Sequence, residues 1–232
     1  MAIDPYYQED GITLYHGDCR EILPGLPPVD MVLTDPPYGV NYEGGHMNER
    51  KRDAIIGDDG NVYSWAVPLA FNACVGPCYF FFAVTRSLDV FSAVSKARGQ
   101  VHAMLVWHKT NAKYAAMNAQ YKQRHEPILY CKGPNAKTMW CGPTTEATVW
   151  DMARDPENTF HPTQKPVEVM ERAIGNHDAA IVLDPFSGSG STLVAAKHLH
   201  RKAIGVEIEE RYCEMTANRL AQGVLPFPDG DA

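Results

Sequence analysis

Val182-Leu183-Asp184-Pro185-Phe186-Ser187-Gly188-Ser189-Gly190-Ser191-Thr192 is the stretch that decides the fold. The apolar run Ala179 to Leu183 leads into the small-residue turn Asp184 to Ser191. A stretch of helical spacing, Thr192 to Leu199, follows, and then a second apolar run, Ala203 to Val206. This is a strand, a helix and a strand, with an acidic residue closing the first strand and glycines opening the helix. Glycine has no Cβ, so such a turn lets backbone N–H groups approach a ligand closely. Glu207 closes the second strand, where a carboxylate can accept both hydroxyls of a ribose. Phosphate cradles fit less well: no lysine follows Gly190 as GxxxxGK[ST] requires, and Leu193 stands where GxGxxG needs its third glycine. An ordinary tight turn with a solvated Glu207 stays open on these residues alone.

Beyond Glu207, the stretch Glu209 to Gln222 puts Tyr212, Met215, Thr216 and Leu220 on one helical face and stops near Gly223 and Pro226. Toward the N-terminus, Ile12 to Tyr15 and Met31 to Thr34 read as short strands, with a helix turn around Arg20 to Leu23. In the middle, Cys78 to Val84, Ala103 to Trp107 and Pro127 to Cys131 have strand length and composition, and Leu88 to Lys96 reads as a helix. Strands alternating with helices imply a wound, mostly parallel α/β sheet. Two stretches break the alternation: Gly39 to Asn61, with five glycines and the trio Arg50, Lys51 and Arg52, and Gly133 to Asn158, rich in Pro, Thr and Asn. Both read as long surface loops, which in such domains are usually functional.

The chain has 232 residues, 45% hydrophobic and 21% charged, without an 18-residue apolar run, so a membrane-embedded, collagenous or fully disordered protein is excluded. A single domain spanning 1–232 is expected. With 21 basic and 28 acidic residues, net −7, bulk charge does not attract nucleic acid, and any polyanion site must be local. The six cysteines show no zinc spacing and read as reduced thiols, so no metal is expected. Met1 to Gln8 lacks the pattern of a secretory signal, and the cytoplasm is the expected compartment, with no membrane partner.

The second informative motif is Asp35-Pro36-Pro37-Tyr38, directly after the strand Met31 to Thr34. Two prolines remove two backbone donors and fix φ, which leaves nearby carbonyls rigid and free to accept. With a carboxylate on one side and an aromatic ring on the other, the turn can accept hydrogen bonds from an exocyclic amine while stacking on the ring that bears it. A nucleobase amine suits that geometry; an ordinary Asp-Pro turn with a packing tyrosine is the plainer alternative.

These residues, in this order, resemble the amino-group DNA methyltransferases that use S-adenosylmethionine, in the permuted arrangement where the DPPY motif precedes the cofactor motif. The resemblance runs from about Gly11 to Leu220. It includes Gly17-Asp18-Cys19, Asp35 to Tyr38, Val106 to Thr110, His125-Glu126-Pro127, His161 to Pro166, Asp184 to Thr192 and Gly205-Val206-Glu207. It implies a Rossmann-like methyltransferase fold with circularly permuted motifs. It also implies that Asp35, Pro36, Pro37 and Tyr38 are catalytic, and that Asp184, Phe186, Ser187, Gly188, Ser189, Gly190 and Thr192 surround the methionine portion of the cofactor. By the same resemblance Glu207 holds the ribose, Asp18 and Cys19 contact the adenine ring, and Thr163, Gln164 and Lys165 complete the methionine end. The segment 133–158 stands where the family places target recognition.

The implied reaction is direct transfer to an exocyclic nitrogen of a base flipped out of double-stranded DNA, with Asp35 and the Pro36 carbonyl accepting its N–H groups. Asp at the first motif position is commoner among the adenine enzymes and serine among the cytosine ones, so adenine N6 is expected and cytosine N4 is the alternative. Transfer to cytosine C5 would need a cysteine nucleophile; the pair Pro77-Cys78 exists, but Cys78 reads as a buried strand thiol. An RNA or protein substrate would fit Asn better at position 35, and a non-catalytic cofactor-binding module would show a damaged quartet. The cations expected to meet DNA are Arg50, Lys51 and Arg52 in the loop 39–61, together with Lys109, Lys113, Lys122, Arg124, Lys132 and Lys137. So short a recognition segment suggests a small site or help from a second copy in a homodimer.

Overall fold

The two strands that flank the centre of the sheet are apolar up to their last residue: Met31–Thr34 and Ile181–Asp184. Such runs suit strands covered on both faces, as in a parallel sheet with helices on either side. The computed structural model describes residues 4–38, 62–111, 120–153 and 164–222. Among these, the strands are β1 (Tyr7–Glu9), β2 (Ile12–His16), β3 (Met31–Thr34), β4 (Pro77–Phe81), β5 (Gln100–Lys109), β6 (His125–Lys132), β7 (Val149–Met152), β8 (Ile181–Asp184) and β9 (Lys202–Glu207). They form one sheet in the order β1-β2-β9-β8-β3-β4-β6-β5-β7. Strands β2, β9, β8, β3 and β4 run parallel, β6 is antiparallel to both β4 and β5, and β7 is parallel to β5. The wound, mostly parallel α/β sheet expected from the sequence is what forms.

Alternation along each strand divides the core. In β4, Tyr79 and Phe81 face one layer while Cys78 and Phe80 face the other. The first layer is covered by α4 (Val167–Gly175), α5 (Ser191–His198) and α6 (Glu210–Ala221), through Ile174, Leu193 and Leu220 among others. The second is covered by α1 (Cys19–Ile22), α2 (Tyr63–Ala73) and α3 (Ser87–Lys96), through Ile22, Val67 and Val90.

The chain leaves β8 toward β9 on one side and leaves β3 toward β4 on the other, so the strand order reverses between β8 and β3. Crevices outside the carboxyl ends of strands at such a reversal are where open α/β sheets bind ligands. The two motifs read from the sequence leave β3 and β8 at that end.

Four elements escaped the sequence reading: β1, α2, α4 and β7. The edge strand β1 is short, and α2 carries Pro68 inside its helix, which hides helical character. Strand β7 lies within 133–158, which reads as loop throughout. That segment is also placed differently from expectation. Lys137 N–H donates to the Val75 carbonyl (2.9 Å), Asp178 N–H to that of Met139 (2.8 Å) and Cys141 N–H to that of Asn176 (2.9 Å). Val75, Asn176 and Asp178 precede β4 and β8, so residues 133–142 cross the base of the sheet, opposite the carboxyl ends. Only its later part, along β7 to Met152, returns to the upper end. The proposed DNA-contacting loop 39–61 lies outside the described residues.

Candidate functional site

Asp35 follows β3, and its carboxylate is held from two sides. Tyr38 donates its hydroxyl to Oδ1 (2.5 Å), and Lys165, from the segment entering α4, donates to Oδ2. Arg86 donates Nε to the Tyr38 carbonyl (2.8 Å), fixing the far end of the Pro-Pro turn. Burial pushes the Asp35 carboxyl up; the Lys165 ammonium opposes that rise and the Glu126 carboxylate adds to it.

Behind Asp35, the two central strands are tied together. Thr34 donates Oγ1 to Asp184 Oδ1 (2.6 Å), Thr192 donates Oγ1 to Oδ2 (2.7 Å), and the Phe186 N–H reaches Oδ1 (3.1 Å). Burial pushes the Asp184 carboxyl up to about 6 even though these three donors hold it down. The first motif's strand and the glycine turn are thus one hydrogen-bonded unit.

The glycine turn has the conformation its residues allow. Gly188 and Gly190 sit at φ +51° and +80°, the left-handed region open to glycine. A Cβ on Gly188 would meet nothing within 4 Å, so its Cα faces open space. The turn is anchored from outside: Ser187 N–H donates to Val206 O (2.9 Å), Thr216 Oγ1 to Gly188 O (2.9 Å), and the Arg219 guanidinium to Ser189 O. Ser187 Oγ is buried and has no hydrogen-bond partner among the described residues. A buried hydroxyl without a partner is costly unless a ligand meets it.

Glu207, at the end of β9, accepts from Gly188 N–H (2.7 Å) at one oxygen and from Glu209 N–H (2.8 Å) at the other. Its carboxyl is pushed up by burial. Each oxygen keeps a further lone pair for a ligand hydroxyl. Beside it, at the end of β2, Asp18 caps α1 and takes the Arg20 N–H (2.8 Å) and the Arg20 guanidinium (2.5 Å to Nη2). Arg20 stacks 5.1 Å above Trp65, whose ring centroid is 5.6 Å from that of Phe186. The Cys19 side chain points into the core, and burial pushes its thiol up to about 12, so only its backbone is available to a ligand.

Of the expected site residues, the structure gathers Asp18, Cys19, Asp35 to Tyr38, Gln164, Lys165, Asp184 to Thr192 and Glu207 at one end of the sheet. Thr163, Arg50, Lys51, Arg52 and Lys113 lie outside the described residues. Three expected DNA contacts take other positions. Lys109 is 4% exposed and donates to Glu126, because β5 turns it inward. Lys132 and Lys137 stand at the base of the sheet, because β6 runs antiparallel and carries its C-terminal end away from the site. Arg124 is exposed at the upper end, with its guanidinium on Thr110 O (3.2 Å), and Lys122 is half-buried nearby. Sequence reasoning assigned no role to Thr34, Arg86, Glu126 or Thr216. A glutamate heading an apolar strand was the one available signal, since a buried carboxylate requires a partner.

A family profile described as DNA methylase, covering the N6 and N4 enzymes, matches residues 29–218. The chain is 35% identical over 219 residues to the protein YubD of Escherichia coli K12, spanning 88% of each. It is 26% identical to the Type II methyltransferase M2.LlaDCHI of Lactococcus lactis, over 96% of this chain and 94% of that one. Among solved structures, the M1.HpyAVI–SAM complex superposes with a TM-score of 0.71 at 28% identity, covering 90% of this chain and all of that one. The PvuII cytosine-N4 methyltransferase shares the fold at a TM-score of 0.73 and 16% identity.

Proposed function

The chain belongs to the N6/N4 family of DNA methylases, and we propose that it transfers a methyl group from S-adenosylmethionine to N6 of an adenine flipped out of double-stranded DNA. The glycine turn fits this cofactor on its own evidence: open space at Gly188, an unpartnered buried Ser187 hydroxyl, and a Glu207 carboxylate with lone pairs to spare. Glu207 would hold the ribose, Asp18 and the Trp65–Phe186 wall the adenine ring, and Phe186 to Gly190, with Gln164 and Lys165, the methionine end. Bound there, S-adenosylmethionine supplies an electrophilic methyl group on a sulfonium sulfur.

An exocyclic nitrogen is a weak nucleophile because its lone pair is delocalised into the ring. Asp35 and the Pro36 carbonyl accept its two N–H groups and draw the lone pair out of conjugation. Tyr38 offers a stacking face for the extruded base. With the cofactor held by Glu207 and the glycine turn, the methyl group would pass to this nitrogen as its bond to sulfur breaks, the electron pair of that bond leaving with a neutral thioether. The Asp35 carboxylate then takes one proton from the nitrogen and passes it to solvent. Positioning supplies much of the rate, and no covalent enzyme intermediate is required.

The observation that carries this reading is the Thr34–Asp184 bond, which fixes the Asp35 turn against the glycine turn at the strand-order reversal. Asp35 in place of serine supports adenine over cytosine N4, and the Type II relatives support site-specific DNA as substrate. DNA meets the upper end of the sheet, with Arg124, Lys122 and the loop 39–61 as phosphate contacts. Asp35→Ala is expected to abolish transfer to DNA while S-adenosylmethionine still binds by calorimetry; turnover near wild type would refute the role.

A further inference from the structure

Four charged side chains from three strands and the segment before α4 meet at the catalytic turn. Lys165 donates to Asp35 Oδ2 and stands 3.2 Å from Glu126 Oε2; Lys109 donates to Glu126 Oε1. Two carboxylates and two ammoniums cancel. Both lysines are buried, Lys109 over the Trp107 ring at 4.9 Å and Lys165 over the Phe81 and Tyr38 rings at 5.3 and 5.6 Å. Glu126 Oε2 is buried without a well-aligned hydrogen bond, so its link to Lys165 is one of charge more than of hydrogen-bond geometry.

We propose that Glu126 is a positioning residue that acts through Lys165: it cancels the ammonium held against Asp35, so that the positive charge carried by sulfonium and then by nitrogen meets no net positive field. This rests on Asp35 being the amine acceptor. The transferring methyl arrives on a cation and leaves a cation on nitrogen until its proton passes to Asp35. Without Glu126 two ammoniums would face one carboxylate, and that excess positive charge beside the path would oppose both states, the second more because its charge sits nearer. Lys109 matters for the opposite reason: an unbalanced Glu126 would drive the Asp35 carboxyl toward its protonated form, which cannot accept the amine. Burial tends to raise the Glu126 carboxyl, but the two ammoniums outweigh it and hold it down to about 2, so it stays charged throughout the working range. The other groups that bear on this corner are the Tyr38 hydroxyl, Tyr63 from α2, Arg86 with Asp89 at the start of α3, and Asp184 from β8. None of them contacts Lys165 through an ion pair among the described residues, so Glu126 and Asp35 balance it.

The test uses the full chain as Glu126→Gln and as the charge-restored double variant Lys109→Met/Glu126→Gln. Binding of S-adenosylhomocysteine, which is neutral at sulfur, and of S-adenosylmethionine is measured by calorimetry, and kcat is measured on DNA. Glu126→Gln is expected to bind S-adenosylhomocysteine like wild type and to weaken S-adenosylmethionine relative to it. That weakening is expected at roughly 30- to 100-fold, the effect of one unit charge at about 6–8 Å in an effective dielectric of about 20, and kcat is expected to fall as well because the charge moves onto nitrogen, nearer Asp35 and Lys165. The double variant is expected to return toward the wild-type affinity ratio and to regain kcat. A wild-type ratio and kcat in Glu126→Gln, or a double variant no better than the single, overturns the proposal. Should Glu126→Gln fail to fold, the double variant decides alone, and a folded double variant with the affinity ratio lost overturns it. Full activity in Asp35→Asn would instead refute the reading of the site itself, so the two failures are distinguishable.

Discussion

Gly190→Ala probes the joint between the cofactor turn and α6, and its cost can be worked from the structure. Gly190 sits at φ +80°, and an added Cβ would lie 2.5 Å from Thr216 Cγ2 and 2.9 Å from its Oγ1. Holding an alanine in the left-handed region costs about 1–2 kcal/mol. Relieving the overlap costs about 1–3 kcal/mol more, because Thr216 is fully buried and its hydroxyl is committed to Gly188 O. The sum of about 2–5 kcal/mol corresponds to a fall in Tm of roughly 5–15 °C in a domain of this size. Thr216→Ser removes the methyl at 2.5 Å and keeps the hydroxyl at 2.9 Å, so Gly190→Ala/Thr216→Ser should recover the larger part of the overlap share and leave the backbone share. Urea unfolding of the two single variants and the double gives the coupling energy, expected at about 1 kcal/mol or more in the favourable direction. Additive effects, or a Gly190→Ala protein as stable as wild type, would refute this account of the turn.

Lys165→Met leaves the Asp35 and Glu126 carboxylates buried without an ammonium between them, a loss of about 3–5 kcal/mol near pH 8. Burial already raises the Asp35 carboxyl above its unfolded value, and the variant raises it further. A carboxyl raised on folding binds its proton more tightly in the folded state, so stability should recover as pH is lowered from 8 toward 5; urea midpoints independent of pH over that range would contradict the network. Glu207→Gln keeps the shape but gives up the charged acceptor, and calorimetry should show S-adenosylmethionine binding weakened by about 1.5–3 kcal/mol, roughly 10- to 150-fold; unchanged affinity would remove the ribose assignment. Arg124→Ala should weaken DNA binding and lower the slope of log K against log salt by about one, while Lys132→Ala, at the base of the sheet, should change neither. Equal losses in the two would reverse the assigned face.

The sequence made legible what local chemistry dictates. The runs around β3, β8 and β9, the glycine turn and the Asp35 quartet are each written in consecutive residues, and each formed where expected. What escaped depends on residues distant in sequence. Glu126 becomes part of the site only because β6 runs antiparallel and brings its first residues, paired with those ending β5, to the carboxyl ends of β3 and β4. The same reversal carries Lys132 away. Lys109 reads as a cation able to meet DNA because a lone lysine at a strand end is usually solvated; its partner, Glu126, lies on the neighbouring strand. The base-crossing path of residues 133–142 is set by backbone bonds to Val75, Asn176 and Asp178, which leave no periodicity to read.

The central claim is tested most directly by incubating the chain with methyl-labelled S-adenosylmethionine and mixed-sequence duplex DNA, digesting to nucleosides and locating the label by mass spectrometry. Label on N6-methyladenine is the predicted result. Label on N4-methylcytosine would keep the chemistry of the Asp35 turn and reverse the base, and bound cofactor with no label in DNA would contradict the claim.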